Sequence, residues 1–245
     1  MLYIESRYDL NTLEHLESEL DRSLAKLGVE CVDLFYIHRR QAELPIEDVA
    51  GHLQRLKEKG KTKGVGFSEI APSSLRRAAA ECHVDAVQSE YSLGVRSPEL
   101  GLVQTCAELG TALVAFSPVG RSFLTDHPLS LDTVRELGGF VGSNPRFQEP
   151  NYSANIAATD PFRAFAAESG VSAAALAIAW VLAQGEHIIA IPGTRSTRHF
   201  AELVEGWNLT LSDAQIARIE EILPVGWAHG DRYSTAQWIG PERYC

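Results

Sequence analysis

Polar side chains follow five apolar, strand-like runs of the chain, each at the point where the run ends. Because the active-site groups of a parallel barrel lie at the carboxyl ends of its strands, all five sets would share one mouth. A polar residue after an apolar strand can be no more than the start of a loop. Five sets together, with two arginines able to bind phosphate, favour a site for an anionic ligand. The five sets are His38, Ser68 with Glu69, Gln88 to Tyr91, Phe116 to Arg121, and Pro192 to Ser196, the last of which includes Arg195.

These groups are positioned by short apolar runs that alternate with amphipathic segments. Leucines at spacings of three and four predict a helix over 13–27, and Gly28 stands where a glycine commonly ends a helix. Asn11 with Glu14 predicts a capping box at its start. Val32–Ile37, rich in β-branched and aromatic residues, predicts a buried strand.

The same alternation continues along the chain and predicts a parallel sheet with right-handed crossovers. A closed barrel and an open doubly wound sheet both fit. Gly64-Val65-Gly66 lies inside a predicted strand and lacks a third glycine, which makes a dinucleotide fold of the open type the weaker interpretation. Further strands are predicted at 62–67, 84–88, 112–116 and 188–191, helices at 46–59, 73–82, 97–110, 160–170, 172–183, 197–205 and 212–223, and a long loop at 121–159.

Length and composition indicate one domain over residues 1–245, since 245 residues suit a single large α/β unit. The net charge of −10 argues against a nucleic-acid or membrane partner, which would need clustered Lys and Arg. The start of the chain lacks the features of a signal peptide, and the four cysteines form no CxxC pair. We therefore expect a cytoplasmic protein with reduced cysteines. The histidines show no metal-binding spacing, so we expect no metal site.

Five motifs, in order along the chain, resemble the aldo-keto reductase family. The resemblance implies a (β/α)8 barrel, and it covers nearly the whole chain. Two tail segments are similar to the bacterial branch of the family that is related to pyridoxal reductase. The five motifs are Asp33–His38, Val65–Glu69, Val87–Ser92, Phe116–Arg121 and Ile191–Arg195, and the tail segments are Leu223–Gly226 and Gly230–Tyr233.

The resemblance also implies a role for each matching residue and a preference for NADP over NAD. His38 would be the catalytic residue that orients and polarises a substrate carbonyl. The other residues would bind the cofactor: Ser68 and Gln88 at the nicotinamide carboxamide, Phe116 against the nicotinamide ring in place of the usual tyrosine, Ser117, Val119 and Arg121 at the pyrophosphate, Gly193, Thr194, Arg195 and Ser196 around the 2′-phosphate, and Glu202 beside the adenine.

The chain departs from the family pattern at two places. His199 and Leu203 stand where the family commonly has arginine and asparagine, which is expected to weaken cofactor binding. At the front, 2–7 resembles the third strand of the family, with Arg7 at the position of a lysine. The barrel is then expected to be incomplete at its N-terminus, with about six of eight strands and without the family's catalytic tyrosine and aspartate. Open strand edges of that kind would favour oligomers.

Two functions follow as hypotheses. The first is an NADP-dependent oxidoreductase that reduces a small aldehyde or ketone to an alcohol by hydride transfer. The second is a catalytically impaired or silent relative that still binds a nucleotide. Pyridoxal, methylglyoxal-like aldehydes and aromatic aldehydes all remain candidate substrates, because a fold does not determine its substrate.

Overall fold

A computed structural model describes residues 10–244 of the chain. The elements alternate as expected for an α/β protein, and short 3-10 segments occupy Ser97–Leu100, Gly120–Ser122, Pro145–Phe147 and Thr235–Trp238. The strands are β1 Val32–Ile37, β2 Thr62–Ser68, β3 Ala86–Glu90, β4 Ala112–Phe116 and β5 Ile188–Ile191. The α-helices are α1 Leu13–Leu27, α2 Ile46–Glu58, α3 Pro72–Glu81, α4 Leu102–Leu109, α5 Leu131–Leu137, α6 Gly139–Gly142, α7 Asn151–Glu168, α8 Ala173–Leu182, α9 Thr197–Asn208 and α10 Asp213–Ile222.

The strands of the described region form one sheet in the order β1-β2-β3-β4-β5. β1 pairs with β2 and β2 with β3, both in parallel, which confirms the predicted α/β fold with a parallel sheet. The predicted strand at 2–7 lies outside the described residues. The number of strands expected for the whole barrel therefore stays a prediction.

The chain divides into two compact units. Within the described residues, the first comprises 10–89, 98–114 and 240–244, and the second comprises 90–97 and 115–239. The expectation of a single domain over 1–245 stays a prediction.

In the first unit, α1 presents one apolar face, as its leucine spacing predicts. Leu16 and Leu20 are fully buried, and Gly28 ends the helix in the left-handed conformation with φ 68°. The predicted capping box is wrong, because Thr12 is the N-cap and its hydroxyl accepts the backbone N–H of His15. Asn11 instead exchanges two hydrogen bonds with Gln41: its Oδ1 accepts the Gln41 backbone N–H at 2.7 Å, and its own N–H reaches Oε1 at 3.1 Å.

Replacing Thr12 by alanine is expected to lower the free energy of unfolding by about 1 kcal/mol, because a helix N–H loses its acceptor. Glu14→Ala is the matched control, since this exposed side chain takes no part in the cap. It should change stability by less than about 0.5 kcal/mol. Urea unfolding of the three proteins gives the comparison. A Glu14 variant as unstable as the Thr12 variant would show that the cap is assigned to the wrong residue.

The segment predicted as a long loop at 121–159 is mostly helical, so that prediction is wrong. It contains α5, α6 and the first half of α7. Phe123, Val134 and Phe147 form a buried cluster, and Phe123 stacks on Phe147 with ring centroids 4.7 Å apart. This cluster holds the short helices. Its residues are too far apart in the sequence to produce a helical hydrophobic periodicity.

The helix predicted to start at Asp160-Pro161 begins instead at Asn151 and runs through Pro161. Proline removes one backbone hydrogen bond inside a helix. Side chains supply donors to neighbouring carbonyl oxygens of the same helix. Thr159 Oγ1 donates to the Asn155 carbonyl at 2.9 Å, and Arg163 Nη2 to the Ile156 carbonyl at 2.9 Å.

Two more helices bear on the sequence predictions. The helix predicted at 97–110 is interrupted at Gly101, whose φ of 130° separates a 3-10 turn from α4. α8 is buried on all sides except near its end, which explains its uniformly apolar sequence.

Among the described residues no single helix is long and apolar enough to cross a membrane, although α7 and α8, bent by 92°, meet that test of length and composition as a pair.

Candidate functional site

The second unit contains a cavity of about 980 Å³. Nine of the residues predicted to bind the cofactor line it, coming from two segments far apart in sequence: Phe116, Ser117, Val119 and Arg121 after β4, and Gly193, Thr194, Arg195, Ser196 and Glu202 after β5. The remaining lining residues include Ser122, Thr125, Asp126, His127, Ala174, Arg198, His199 and Leu203.

One wall of the cavity is the sharply curved segment after β4. Three non-glycine residues of this segment adopt positive φ, which L side chains rarely do: Ser117 at 51°, Arg121 at 54° and Ser122 at 88°. A turn hydrogen bond from the Gly120 N–H to the Ser117 carbonyl, 2.9 Å long, closes the curve. Such backbone strain is concentrated at ligand-binding sites. The half-buried ring of Phe116 lies at the start of this wall.

The opposite wall is the start of α9. The Ser196 hydroxyl caps this helix by accepting the N–H of His199, and Thr194 Oγ1 accepts the N–H of Ser196 at 3.1 Å. Arg195 directly precedes the capping serine, Arg198 lies on the first turn of α9, and both line the cavity. A helix N-terminus carries partial positive charge, and two guanidinium groups add to it. This end of the cavity is therefore suited to a phosphate group.

Arg198 contacts two neighbours on the same helix. Its Nη2 lies 3.3 Å from His199 Nε2, and its Nε lies 3.7 Å from a carboxylate oxygen of Glu202. The arginine is mostly exposed, so the Glu202 pair contributes little and does not prevent the guanidinium from binding an anion.

Arg121 has a different environment from the one expected of a phosphate ligand. Its Nε and Nη2 donate to the two carboxylate oxygens of Glu90, at 3.0 and 2.7 Å. Glu90 is only 1% exposed. The charge of Arg121 is thus already paired, and the residue holds the curved segment in place. Its predicted role at the pyrophosphate stays a prediction.

The three other predicted residues lie in the first unit, at the carboxyl ends of neighbouring strands. His38 follows β1, Ser68 ends β2, and Gln88 is the register partner of Ser68 on β3. Ser68 and Gln88 are buried, and the Ser68 hydroxyl accepts a 3.0 Å hydrogen bond from Arg39 Nη1. The same Nη1 donates to the His38 carbonyl oxygen at 2.8 Å.

Some lining residues were not predicted from the sequence. Arg198 follows Thr197 on the first turn of α9. A basic residue two positions after a capping serine is the sequence feature that could have identified it. Asp126 and His127 lie in the segment taken for a loop. Asp126 accepts the N–H of Ala173 at 3.0 Å and so connects this segment to α8. His199 and Leu203, named as departures from the family pattern, do line the cavity.

Two of the cysteines, Cys82 and Cys106, are buried. Burial raises the pKa of the Cys106 thiol to about 12, so the nucleophilic thiolate is scarce at neutral pH. Burial also raises the pKa of Cys82. Both therefore behave as apolar core residues.

Comparison with known proteins agrees with the motifs. The sequence profile of the aldo/keto reductase family matches residues 3–224. The chain is 37% identical over 226 residues to the aldo-keto reductase yakc of Schizosaccharomyces pombe, whose name specifies NADP(+), covering 91% of the chain and 66% of that protein. It is 36% identical to a probable aldo-keto reductase 1 of Glycine max, covering 90% of the chain and 63% of that protein. The chain thus spans slightly less than two thirds of the length of these curated relatives.

Solved structures show the same architecture. The glycerol dehydrogenase AKR11B4 of Gluconobacter oxydans matches with a TM-score of 0.75 and 26% identity, over 90% of this chain and 68% of that one. A thermostable aldo-keto reductase in complex with the inhibitor epalrestat matches in fold, with a TM-score of 0.65 and 22% identity over 85% of this chain and 66% of that one. On the match of the family profile and these relatives, the chain belongs to the aldo/keto reductase family.

Proposed function

We propose that this protein is an NADP-dependent oxidoreductase that reduces a small aldehyde or ketone to an alcohol. The observation that supports this most is the cavity of the second unit, where nine residues matching the family's cofactor motifs lie around one space with cationic groups at one end. The relative in Schizosaccharomyces pombe, whose name specifies NADP(+), supports the choice of cofactor. The tail motif at Gly230–Tyr233 supports placing the chain in the branch related to pyridoxal reductase.

The lining residues fit a phosphorylated dinucleotide by their chemistry. The face of Phe116 can stack on a planar ring, and the Ser117 hydroxyl can donate to a phosphate oxygen. Arg195, Thr194 and Ser196 would hold the 2′-phosphate, with Arg198 as an additional cation for it. Val119 would lie beside the pyrophosphate, Gly193 beside the 2′-phosphate, and Glu202 would accept from the adenine amino group.

When bound, the nicotinamide supplies the hydride. The remaining work falls to side chains of this protein. Ser68 and Gln88 would bind the carboxamide and so orient the ring. The imidazole of His38 would donate a hydrogen bond to the carbonyl oxygen of the substrate, which stabilises the negative charge that develops there. A donor prepositioned for that charge commonly accelerates a reaction by about a hundredfold or more.

A titration with NADPH, followed by quenching of the four tryptophans, tests the proposal. We expect saturable quenching by NADPH. NADH should bind more weakly, because it lacks the 2′-phosphate that the cationic end of the cavity would bind. Arg195→Ala together with Arg198→Ala should weaken NADPH binding by about tenfold to a hundredfold, the usual effect of lost charge-assisted hydrogen bonds, and leave NADH binding nearly unchanged.

Arg135→Ala is the matched control, since Arg135 is an exposed arginine of the same unit that pairs with the exposed Asp132. It should bind both cofactors normally. The absence of any quenching at millimolar NADPH would rule out the proposal. Quenching without NADPH oxidation in the presence of aldehydes would favour the second function, a silent relative that binds the nucleotide.

A further inference from the structure

A cluster of three arginines lies in the second unit, and only one of them, Arg121, lines the cofactor cavity. The arginine cluster consists of Arg121, Arg146 and Arg232, grouped with Glu90. Arg232 is 7% exposed, and its Nη1 lies 3.4 Å from Glu90 Oε2, the oxygen that also accepts from Arg121. The buried carboxylate of Glu90 therefore serves two guanidinium groups at once.

Two members of the arginine cluster have donors to spare. Arg121 Nη1 is buried and meets no acceptor among residues 10–244. Arg146 uses Nε to donate to the Gly230 carbonyl at 3.2 Å, and within the same described region its Nη1 and Nη2 have no acceptor. Arg121 Nη1 is thus a buried charged donor without an acceptor in the described region, and such a donor costs more free energy than a neutral one.

The charged groups around Arg146 carry an excess of positive charge. Burial lowers the pKa of Arg146, and the neighbouring cations Arg121 and Arg232 lower it further, against the opposing effect of Glu90 and Asp231. These five groups carry three positive and two negative charges. A group with one further negative charge and several acceptor oxygens would balance them and bind the spare donors.

Aromatic rings pack against the guanidinium groups of the cluster. Arg121 lies 4.5 Å from the centroid of Phe140, which is 47% exposed. Phe140 belongs to the four-residue α6, preceded by Gly138 and Gly139, both with positive φ. The arginine cluster adjoins the cavity through Arg121, which lines it.

We propose that Arg121 and Arg146 form a subsite for an oxyanion, and that the oxyanion is a carboxylate or phosphate group carried by the carbonyl substrate. This rests on the proposed function. Carboxylate and phosphate are the groups that match the planar donor fork of arginine. The substrate is favoured over the cofactor as the source because Arg146 is not among the residues that line the cofactor cavity. The substrate class is then an acidic aldehyde or ketone.

The experiment compares 4-carboxybenzaldehyde with benzaldehyde, which share a reacting group and differ in charge. The wild-type protein should reduce the acidic aldehyde with a KM at least about tenfold lower, as expected for a charged hydrogen-bonded pair. Arg146→Gln should abolish this preference while leaving the KM for benzaldehyde and the affinity for NADPH unchanged. Arg146→Lys, which keeps the charge without the fork, should retain part of it.

Arg163→Gln is the matched control. Arg163 is a comparably buried arginine of the same unit, but its guanidinium is already bonded to the Phe123 and Ile156 carbonyls and to Asp160. It should keep the preference for the acidic aldehyde. An equal loss on both aldehydes in the Arg146 variants would show a purely structural role and overturn the proposal. A loss of NADPH affinity would assign the oxyanion to the cofactor and overturn it as well.

A second measurement does not depend on turnover or on the stability of a variant. Benzoate should raise the melting temperature of the wild-type protein more than benzyl alcohol at the same concentration, and Arg146→Lys should reduce the difference. Benzoate without any such effect would overturn the subsite even if NADPH binds. Benzoate protection in a protein that does not bind NADPH would keep the anion site and reject the proposed function.

Discussion

Replacing Glu90 by glutamine is expected to lower the free energy of unfolding by about 3–5 kcal/mol, the usual cost of removing one partner from a buried ion pair. Glu90 is 1% exposed and accepts from Arg121 through both oxygens and from Arg232 through one. Glutamine retains the shape but not the charge. The arginines would then stay buried without their common counter-ion.

Urea unfolding at neutral pH measures this effect, and Glu220→Gln is the control. Glu220 pairs with Arg96 at 3.1 Å in the same unit, but its side chain is 40% exposed. Its loss should cost less than about 1 kcal/mol because solvent screens an exposed pair. Equal effects of the two substitutions would mean that burial of the Glu90 carboxylate does not determine its contribution.

Gly206→Ala is expected to destabilise the protein by about 1–3 kcal/mol, although alanine is ordinarily the better helix former. Gly206 is the buried residue of α9. An added Cβ would lie 2.5 Å from the Ala175 carbonyl oxygen and 2.8 Å from its Cα. Both are backbone atoms of α8, so neither can rotate away. The two helices must separate, and Arg198 at the cavity would move with α9.

Gly51→Ala is the matched substitution, because Gly51 lies inside α2 and a Cβ there would meet nothing within 4 Å. It should stabilise the protein by about 0.5–1 kcal/mol, through the lower backbone entropy of alanine in the unfolded chain. If close helix packing is the reason for the glycine at 206, thermal unfolding should show a lower melting temperature for Gly206→Ala and a higher one for Gly51→Ala. An NADPH titration of Gly206→Ala measures the effect on the cavity. A stabilised Gly206→Ala would contradict the packing of α8 on α9.

The sequence alone determined the elements whose signal is local. The leucine spacing of α1 and the β-branched run of β1 each depend on residues within one turn or one strand, and the structure confirms both. The order of polar groups after the strands is local too. The cofactor residues themselves were named from the resemblance of these segments to the family motifs, and their roles stay predictions.

Only the tertiary structure decided the features that depend on distant partners. The helices within 121–159 are held by Phe123 packing on Phe147. Asn11 does not cap α1 because Gln41, thirty residues away, takes its hydrogen bonds. Arg121 reads from sequence as a free phosphate ligand, yet Glu90 already neutralises it. In each case a partner remote in sequence competes with the local pattern, and a buried hydrogen bond or contact outweighs the fraction of a kcal/mol or so that local propensity provides.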